Sequence, residues 1–293
     1  MPTLPTFRGA ITALVTPFAD GAVDFGRLRQ QVRYQVDQGI DGLVPCGTTG
    51  ESPTLAVDEH KRVIETVIAE AAGRVPVIAG VGANSTREAL ELHRFARSAG
   101  ATAGLSVNPY YNKPTQDGLY RHFMTLSEGA DLPIVLYNIP GRTGITMSPQ
   151  TVARLRRDGN VAAIKEATGD ANFASLVMQE CDVPVLSGDD PLTLPLLAVG
   201  AVGVVSVLSN VMPARVAELC RVALAGDFAA ARAIHHEVYE LTRTLFLDGN
   251  PAGVKAAMRM LGRDAGELRL PLVEASDAAR QAIAAALTKL GLL

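Results

Sequence analysis

The chain has 293 residues, 48% hydrophobic and 19% charged, with 27 Lys+Arg against 30 Asp+Glu and a net charge of -3. That composition supports a large core and argues against disorder. The near-balanced charge offers no general basic field for nucleic acid or an anionic membrane. No stretch of about 18 uninterrupted apolar residues occurs, so no spanning helix is expected. Residues 1–9 lack the basic and apolar regions of a secretory signal. Cys46, Cys181 and Cys220 are odd in number and far apart, which makes neither a disulfide framework nor a zinc pattern. The expectation is a cytoplasmic protein that holds no metal and contacts neither nucleic acid nor membrane.

Short apolar runs alternate with longer amphipathic ones. Residues 10–16 read as the first strand. Asp24 is placed to N-cap a helix over 25–38, closed by Gly39. Residues 42–45 form a short second strand, and a second helix runs from Asp58 to about residue 72. Residues 75–80 read as the third strand. Ser85-Thr86-Arg87-Glu88 has the form of a capping box and starts a helix that ends at Gly100. Residues 103–107 read as the fourth strand, and 115–129 contain a helix. The fifth strand, 132–138, precedes a helix from about Ser148 to Arg157, with Pro149 at its first position. The sixth strand is Val161-Ala162-Ala163-Ile164-Lys165-Glu166. A buried helix segment is the alternative reading of that apolar run. Then come a helix over 172–179, a strand over 183–187, a helix over 192–199, a strand over 202–207 and a helix over 212–224. Beyond residue 224 the strand signals stop, and 227–247, 251–261 and 276–290 read as helices.

Eight strand–helix units in a row argue for parallel pairing with right-handed crossovers. Eight is also the number that closes a (β/α)8 TIM barrel. The expected fold is α/β: a catalytic barrel over residues 1–225, then a C-terminal helical extension over 226–293 packed on it. A doubly wound open sheet is the structural alternative. Its dinucleotide-binding form lacks support, since no G-x-G-x-x-G follows the first strand.

The candidate chemistry gathers at the carboxyl ends of the predicted strands, which converge on one face of a barrel. Lys165 ends the sixth strand. An amine held there loses water, and desolvation favours the neutral form that attacks a carbonyl to make a Schiff base. The alternative for a strand-end lysine is to snorkel to solvent. After the second strand, Gly47-Thr48-Thr49-Gly50-Glu51-Ser52 combines exposed amides with hydroxyls, which suits a small carboxylate. A plain polar turn is the alternative there. Asn108-Pro109-Tyr110-Tyr111-Asn112-Lys113-Pro114 follows the fourth strand, Tyr137-Asn138-Ile139-Pro140-Gly141-Arg142-Thr143-Gly144 the fifth, and Ser187-Gly188-Asp189-Asp190 the seventh.

With these pieces in order, the sequence resembles the dihydrodipicolinate synthase family of the lysine-dependent pyruvate aldolase superfamily. The resemblance spans nearly the whole chain, from Gly9 to Leu272, and its most specific pieces are GTTGES, PYYNKP, YNIPGRTG, KEATGD and SGDD. It implies that Lys165 forms the Schiff base with pyruvate, so that no separate cofactor is needed. It implies that Tyr137 transfers protons and that Thr48 and Tyr111 complete a hydroxyl relay, with Tyr111 reaching a neighbouring subunit. Thr49, Gly188 and Val205 match substrate-binding positions, and Arg142 matches the arginine that receives the second substrate's carboxylate. The implied reaction condenses pyruvate with L-aspartate 4-semialdehyde to 4-hydroxy-tetrahydrodipicolinate, on the route to lysine and diaminopimelate. The implied assembly is a homotetramer, a dimer of dimers.

In regulated members of that family, L-lysine acts as an effector at positions that here are Ser52, Pro53, Val57, His60, Asn84, Glu88 and Tyr110. Sensitive members often carry histidine where this chain has Val57. A second departure is Asn250-Pro251-Ala252-Gly253-Val254-Lys255, where the family commonly has proline at the position of Gly253, which suggests a loosened helix start. Cys46 reads as a small buried filler, with a reactive thiol as the alternative. Two competing functions stand beside the leading one. A sister aldolase would cleave a sialic or 2-keto-3-deoxy sugar acid, although such enzymes generally lack the arginine of YNIPGRTG. A catalytically silent barrel would bind a keto acid as a sensor.

Overall fold

Eight short strands alternate with helices: β1 (Gly9–Ala13), β2 (Gly42–Val44), β3 (Ile78–Gly80), β4 (Ala103–Val107), β5 (Ile134–Asn138), β6 (Val161–Glu166), β7 (Val185–Ser187) and β8 (Gly203–Ser206). The computed structural model describes residues 4–263 and 265–293. The strands pair in parallel in the order β2-β1-β8-β7-β6-β5-β4-β3. The seam between β2 and β3 is drawn together by a parallel bridge at Leu43 and Val77. There the Leu43 N–H donates to Pro76 O at 3.0 Å, and the Gly80 N–H to Pro45 O at 2.9 Å. A doubly wound sheet would leave that seam open, so the (β/α)8 barrel is the architecture.

The helices follow as α1 (Phe25–Asp37), α2 (Val57–Ala71), α3 (Thr86–Ala99), α4 (Gln116–Ala130), α5 (Pro149–Asp158), α6 (Ala171–Glu180), α7 (Thr193–Ala198) and α8 (Pro213–Leu224). The extension adds α9 (Phe228–Thr244), α10 (Ala252–Met260) and α11 (Asp277–Lys289). Side-chain caps set the starts: Asp24 accepts from the Arg27 N–H and Ser148 from the Thr151 N–H. Ser85 accepts from the Glu88 N–H at 3.5 Å, while a reach-back by glutamate occurs at α2, where Glu59 accepts from the Ala56 N–H. That contact starts α2 at Val57 rather than Asp58. Among the described residues, no helix is long and apolar enough to cross a membrane. One hairpin falls inside the loop after β1: Phe18–Ala19 pairs antiparallel with Ala22–Val23 through Asp20-Gly21, both with positive φ. The Asp-Gly pair is its sequence signal.

Apolar side chains separate into an inner and an outer set. Ile11, Val44, Ile78, Leu105, Val135, Leu186 and Val205 come from different strands and pack together inside the barrel. Ile134, Leu136, Val161 and Ile164 face the helices instead. A third cluster runs from Ala10 of β1 through Leu219 of α8 to Leu241, Val254 and Ile283 of the extension, so barrel and extension share buried apolar surface.

An irregularity between β5 and β6 decides where the lysine points. Ile134 pairs with Val161, but the next residue, Val135, pairs with Ala163. Two successive alanines, Ala162 and Ala163, therefore both face inward. Simple alternation starting from outward-facing Val161 would send Lys165 to the helices. The extra residue resets the phase, Ile164 faces out, and Lys165 lies beside Tyr137 across the ladder.

Candidate active site

Lys165 is 6% exposed, and its Nζ stands 4.0 Å from the centroid of the Tyr137 ring. It does not snorkel. Tyr137 is equally buried and is the Cα partner of Lys165 in the parallel ladder. Gly188 supplies the third wall. A Cβ built there would lie 2.8 Å from Ala167 Cβ and 3.1 Å from Lys165 Cε, so a side chain would force Ala167 to shift and crowd the lysine. Val205 of β8 is buried in the same inner cluster as Tyr137. These four residues come from four different strands or strand ends, as a barrel mouth requires.

The carboxyl groups of Glu166 and Asp190 are held by hydrogen bonds. Glu166 accepts from the Thr168 N–H at 2.6 Å and from Asn138 Nδ2 at 3.1 Å. Asn138 Oδ1 in turn accepts from Asn108 Nδ2 and from the Met147 N–H. Asp190 accepts from Ser206 Oγ and from the N–H groups of Val207 and Leu208. Burial pushes the carboxyl groups of Glu166, Asp189 and Asp190 above the ordinary range. The neighbouring Asp190 raises Asp189 further, and the Lys165 charge pulls both aspartates back. The two aspartates thus contribute to the field in which the amine sits.

Thr49 is buried, and its Oγ1 accepts from Asn250 Nδ2 at 2.9 Å. Thr48 lines a cavity of about 380 Å³ that also includes Arg142, carried on the short helix Pro140–Thr143. Arg142 is exposed and borders a second cavity of about 480 Å³ walled by Asn250 and Pro271–Val273 of the extension. A guanidinium placed between two openings is suited to a carboxylate arriving from solvent.

The proposed effector positions share the first cavity. Ser52, Pro53, Val57, His60, Glu88 and Tyr110 all line it. Glu88 is close enough to raise the affinities of His60 and of the Tyr110 hydroxyl for protons, although burial is the larger influence on each and acts downward at His60. Asn84 does not line it: its backbone acts to lower the proton affinity of the Tyr110 hydroxyl, and its carbonyl accepts from Asn112 Nδ2.

Tyr111 is not brought to Lys165. It is 91% exposed, with φ 72°. Its segment enters the left-handed region at Tyr111 and Lys113. Tyr110 still turns to the cavity while Tyr111 turns to solvent. At Gly253 a Cβ would fall 2.2 Å from Leu245 O, so the glycine lets α10 approach the end of α9. Cys46 is buried against His60 O with its thiol pushed far up, which matches a filler. Sequence reasoning missed Asn250 as a neighbour of Thr49 and gave no role to Asn138 or Asp190. The NPAGVK run was the available signal for Asn250, but nothing in it revealed which loop it would touch.

A buried lysine facing a tyrosine at the carboxyl-end mouth of a (β/α)8 barrel is the layout of a lysine-dependent aldolase, and that is the class defined by fold and site. The model of the Dihydrodipicolinate synthetase family matches residues 6–290. A 4-hydroxy-tetrahydrodipicolinate synthase from Pelobacter propionicus is 52% identical over 98% of this chain and 100% of its own. The crystal structure of dihydrodipicolinate synthase from Aquifex aeolicus superposes with a TM-score of 0.96 at 47% identity, covering 98% of this chain and 99% of that one. The same enzyme from Cyanidioschyzon merolae, solved with lysine bound, gives 0.95 at 40% identity, covering 98% and 99%. The chain belongs to the dihydrodipicolinate synthetase family.

Proposed function

We propose that this chain condenses pyruvate with L-aspartate 4-semialdehyde to 4-hydroxy-tetrahydrodipicolinate, as a lyase of lysine and diaminopimelate biosynthesis. Full-length relatives at about half identity carry that activity in their name. The single observation behind the mechanism is the buried Lys165 Nζ over the Tyr137 ring. The Lys165 amine adds to the pyruvate ketone, and loss of one water gives the imine. Removal of a methyl proton gives the enamine, whose carbon attacks the semialdehyde carbonyl. The semialdehyde's own amine then adds to the imine carbon, closes the ring and releases Lys165. The proton transfers in these steps fall to Tyr137, Thr48 and Tyr111, and Thr49, Gly188 and Val205 hold pyruvate. The amine provides the covalent handle, so the reaction needs no further cofactor.

Arg142 receives the semialdehyde carboxylate from its place between the two cavities. Losing a charged hydrogen bond costs about 1.5–3 kcal/mol. Arg142→Ala should therefore lower kcat/KM for the semialdehyde by about ten- to a hundred-fold while leaving pyruvate adduct formation intact. A coupled assay with both substrates checks this, and unchanged activity toward the semialdehyde would reject the assignment. Absence of any condensation in the wild-type assay would reject the reading as a synthase.

The cavity holding Glu88 and Tyr110 is proposed as an L-lysine site at a subunit interface, within a homotetramer built as a dimer of dimers. The lysine-bound relative from Cyanidioschyzon merolae supports the reading. Glu88 would pair with the effector's ammonium, and the Tyr110 hydroxyl would donate to its carboxylate. Val57 offers no polar partner to the effector's far end, so inhibition should be weak to moderate. Initial rates at subsaturating pyruvate should fall with millimolar L-lysine and should no longer do so in Glu88→Ala. No effect on rate, together with no heat of binding by calorimetry, would show that the switch is missing.

A further inference from the structure

The loop over residues 47–52 is wound on itself. The Gly50 N–H donates to Gly47 O, the Glu51 N–H to Thr48 O, and the Ser52 N–H to Gly47 O. Two non-glycine residues around it, Cys46 and Glu51, hold φ near +54° and +55°. L side chains adopt that conformation at a cost, and it persists where the surroundings over-determine it. The barrel contributes Thr16, whose Oγ1 donates to Gly50 O at 2.7 Å.

The other anchors come from the extension, more than 200 residues away in sequence. Lys255 Nζ lies 2.6 Å from Glu51 Oε1, and the two side chains are 2% and 0% exposed. Oε1 accepts no in-line donor, so this contact is an ion pair rather than an aligned hydrogen bond. Glu51 Oε2 accepts from the Arg269 N–H at 3.1 Å. Lys255 is fixed in turn by Glu267 O at 2.6 Å and by the Phe18 ring 4.5 Å beneath it. Arg269 donates to Thr54 O just past the loop and pairs with Glu59. Asn250 Nδ2 donates to Thr49 Oγ1. With that oxygen occupied as an acceptor, the one hydroxyl proton of Thr49 is left to point elsewhere, toward a bound carboxylate.

We propose that the Glu51–Lys255 pair and Asn250 are positioning residues: the extension clamps the loop over residues 47–52 from outside the barrel and aims Thr49 at the pyruvate carboxylate. What the loop binds rests on the function proposed above; the clamp itself rests on the geometry. A buried ion pair is often replaceable by apolar groups without loss of stability. Holding the left-handed Glu51 backbone is a task that apolar substitutes would not perform. Gln at 51 and Met at 255 preserve shape and remove both charges.

In the full chain, Glu51→Gln/Lys255→Met should keep an unfolding temperature close to that of the wild type. Its KM for pyruvate should rise at least ten-fold, with KM for the semialdehyde unchanged. Hydrogen exchange over residues 46–54 should quicken at least ten-fold while the barrel strands exchange as before. Asn250→Ala, which leaves the ion pair in place, should raise the pyruvate KM several-fold with no change in unfolding temperature. Wild-type pyruvate KM and wild-type loop exchange in the double variant would reduce the pair to packing and overturn the proposal. If the double variant does not fold, an unchanged pyruvate KM in Asn250→Ala overturns it instead. A wild-type protein that makes no pyruvate adduct would defeat the functional reading alone, because loop exchange in the variants still decides the clamp.

Discussion

Lys165→Ala should leave a folded barrel with its condensing activity reduced on the order of 10⁴–10⁶-fold, as expected when a covalent nucleophile is removed. The substitution truncates a side chain that sits against Tyr137 and the Gly188 backbone. It makes a small polar-walled space at the mouth rather than a hole in the outer core, so circular dichroism and the unfolding temperature should change little. Lys165→Arg should be equally inactive, because a guanidinium stays protonated and cannot add to a ketone. Steady-state assay at saturating pyruvate and semialdehyde checks both. Retention of more than one per cent of the wild-type kcat in Lys165→Ala would mean that the amine is not the nucleophile.

Tyr111 gives the second large effect, for a reason outside the single chain. It is 91% exposed and stands in a left-handed conformation at the tip of the segment after β4. The assembly proposed above places this side chain in a neighbour's site. A hydroxyl that relays protons contributes typically about 10²–10⁴-fold. Tyr111→Phe keeps the ring and removes only the hydroxyl, so activity should fall by about that factor without loss of assembly. Mixed Tyr111→Phe and Lys165→Ala subunits should regain activity, since a site that pairs the lysine of one chain with the tyrosine of the other is intact. Subunit exchange is followed by native mass spectrometry. Confirmed exchange with no recovered activity would place Tyr111 outside the relay.

The barrel was legible because its signals are local. Strand and helix runs alternate eight times, and capping residues such as Asp24 and Ser148 mark helix starts. β4 and β6 fall where the apolar runs place them, whereas β3 and β7 are shorter than read, since pairing is made over only part of each run. The inward aim of Lys165 was not legible. It depends on the phase reset at Ala162 and Ala163, which only strand pairing reveals. Gly188 was legible as a motif residue, but its reason is a close approach between two strand ends. The close approach at Gly253 was hidden for the same cause: the carbonyl of Leu245 that excludes a side chain lies just past the end of another helix. The Glu51–Lys255 contact joins positions 204 residues apart, and no periodicity or spacing encodes such a meeting.

The most direct test of the account is borohydride reduction of the wild-type protein with pyruvate, followed by peptide mass spectrometry. The Schiff-base role of Lys165 predicts a single reduced pyruvate adduct, on the peptide that contains Lys165, and no adduct in Lys165→Ala. An adduct on another lysine, or a protein left unmodified while it turns over both substrates, would contradict it.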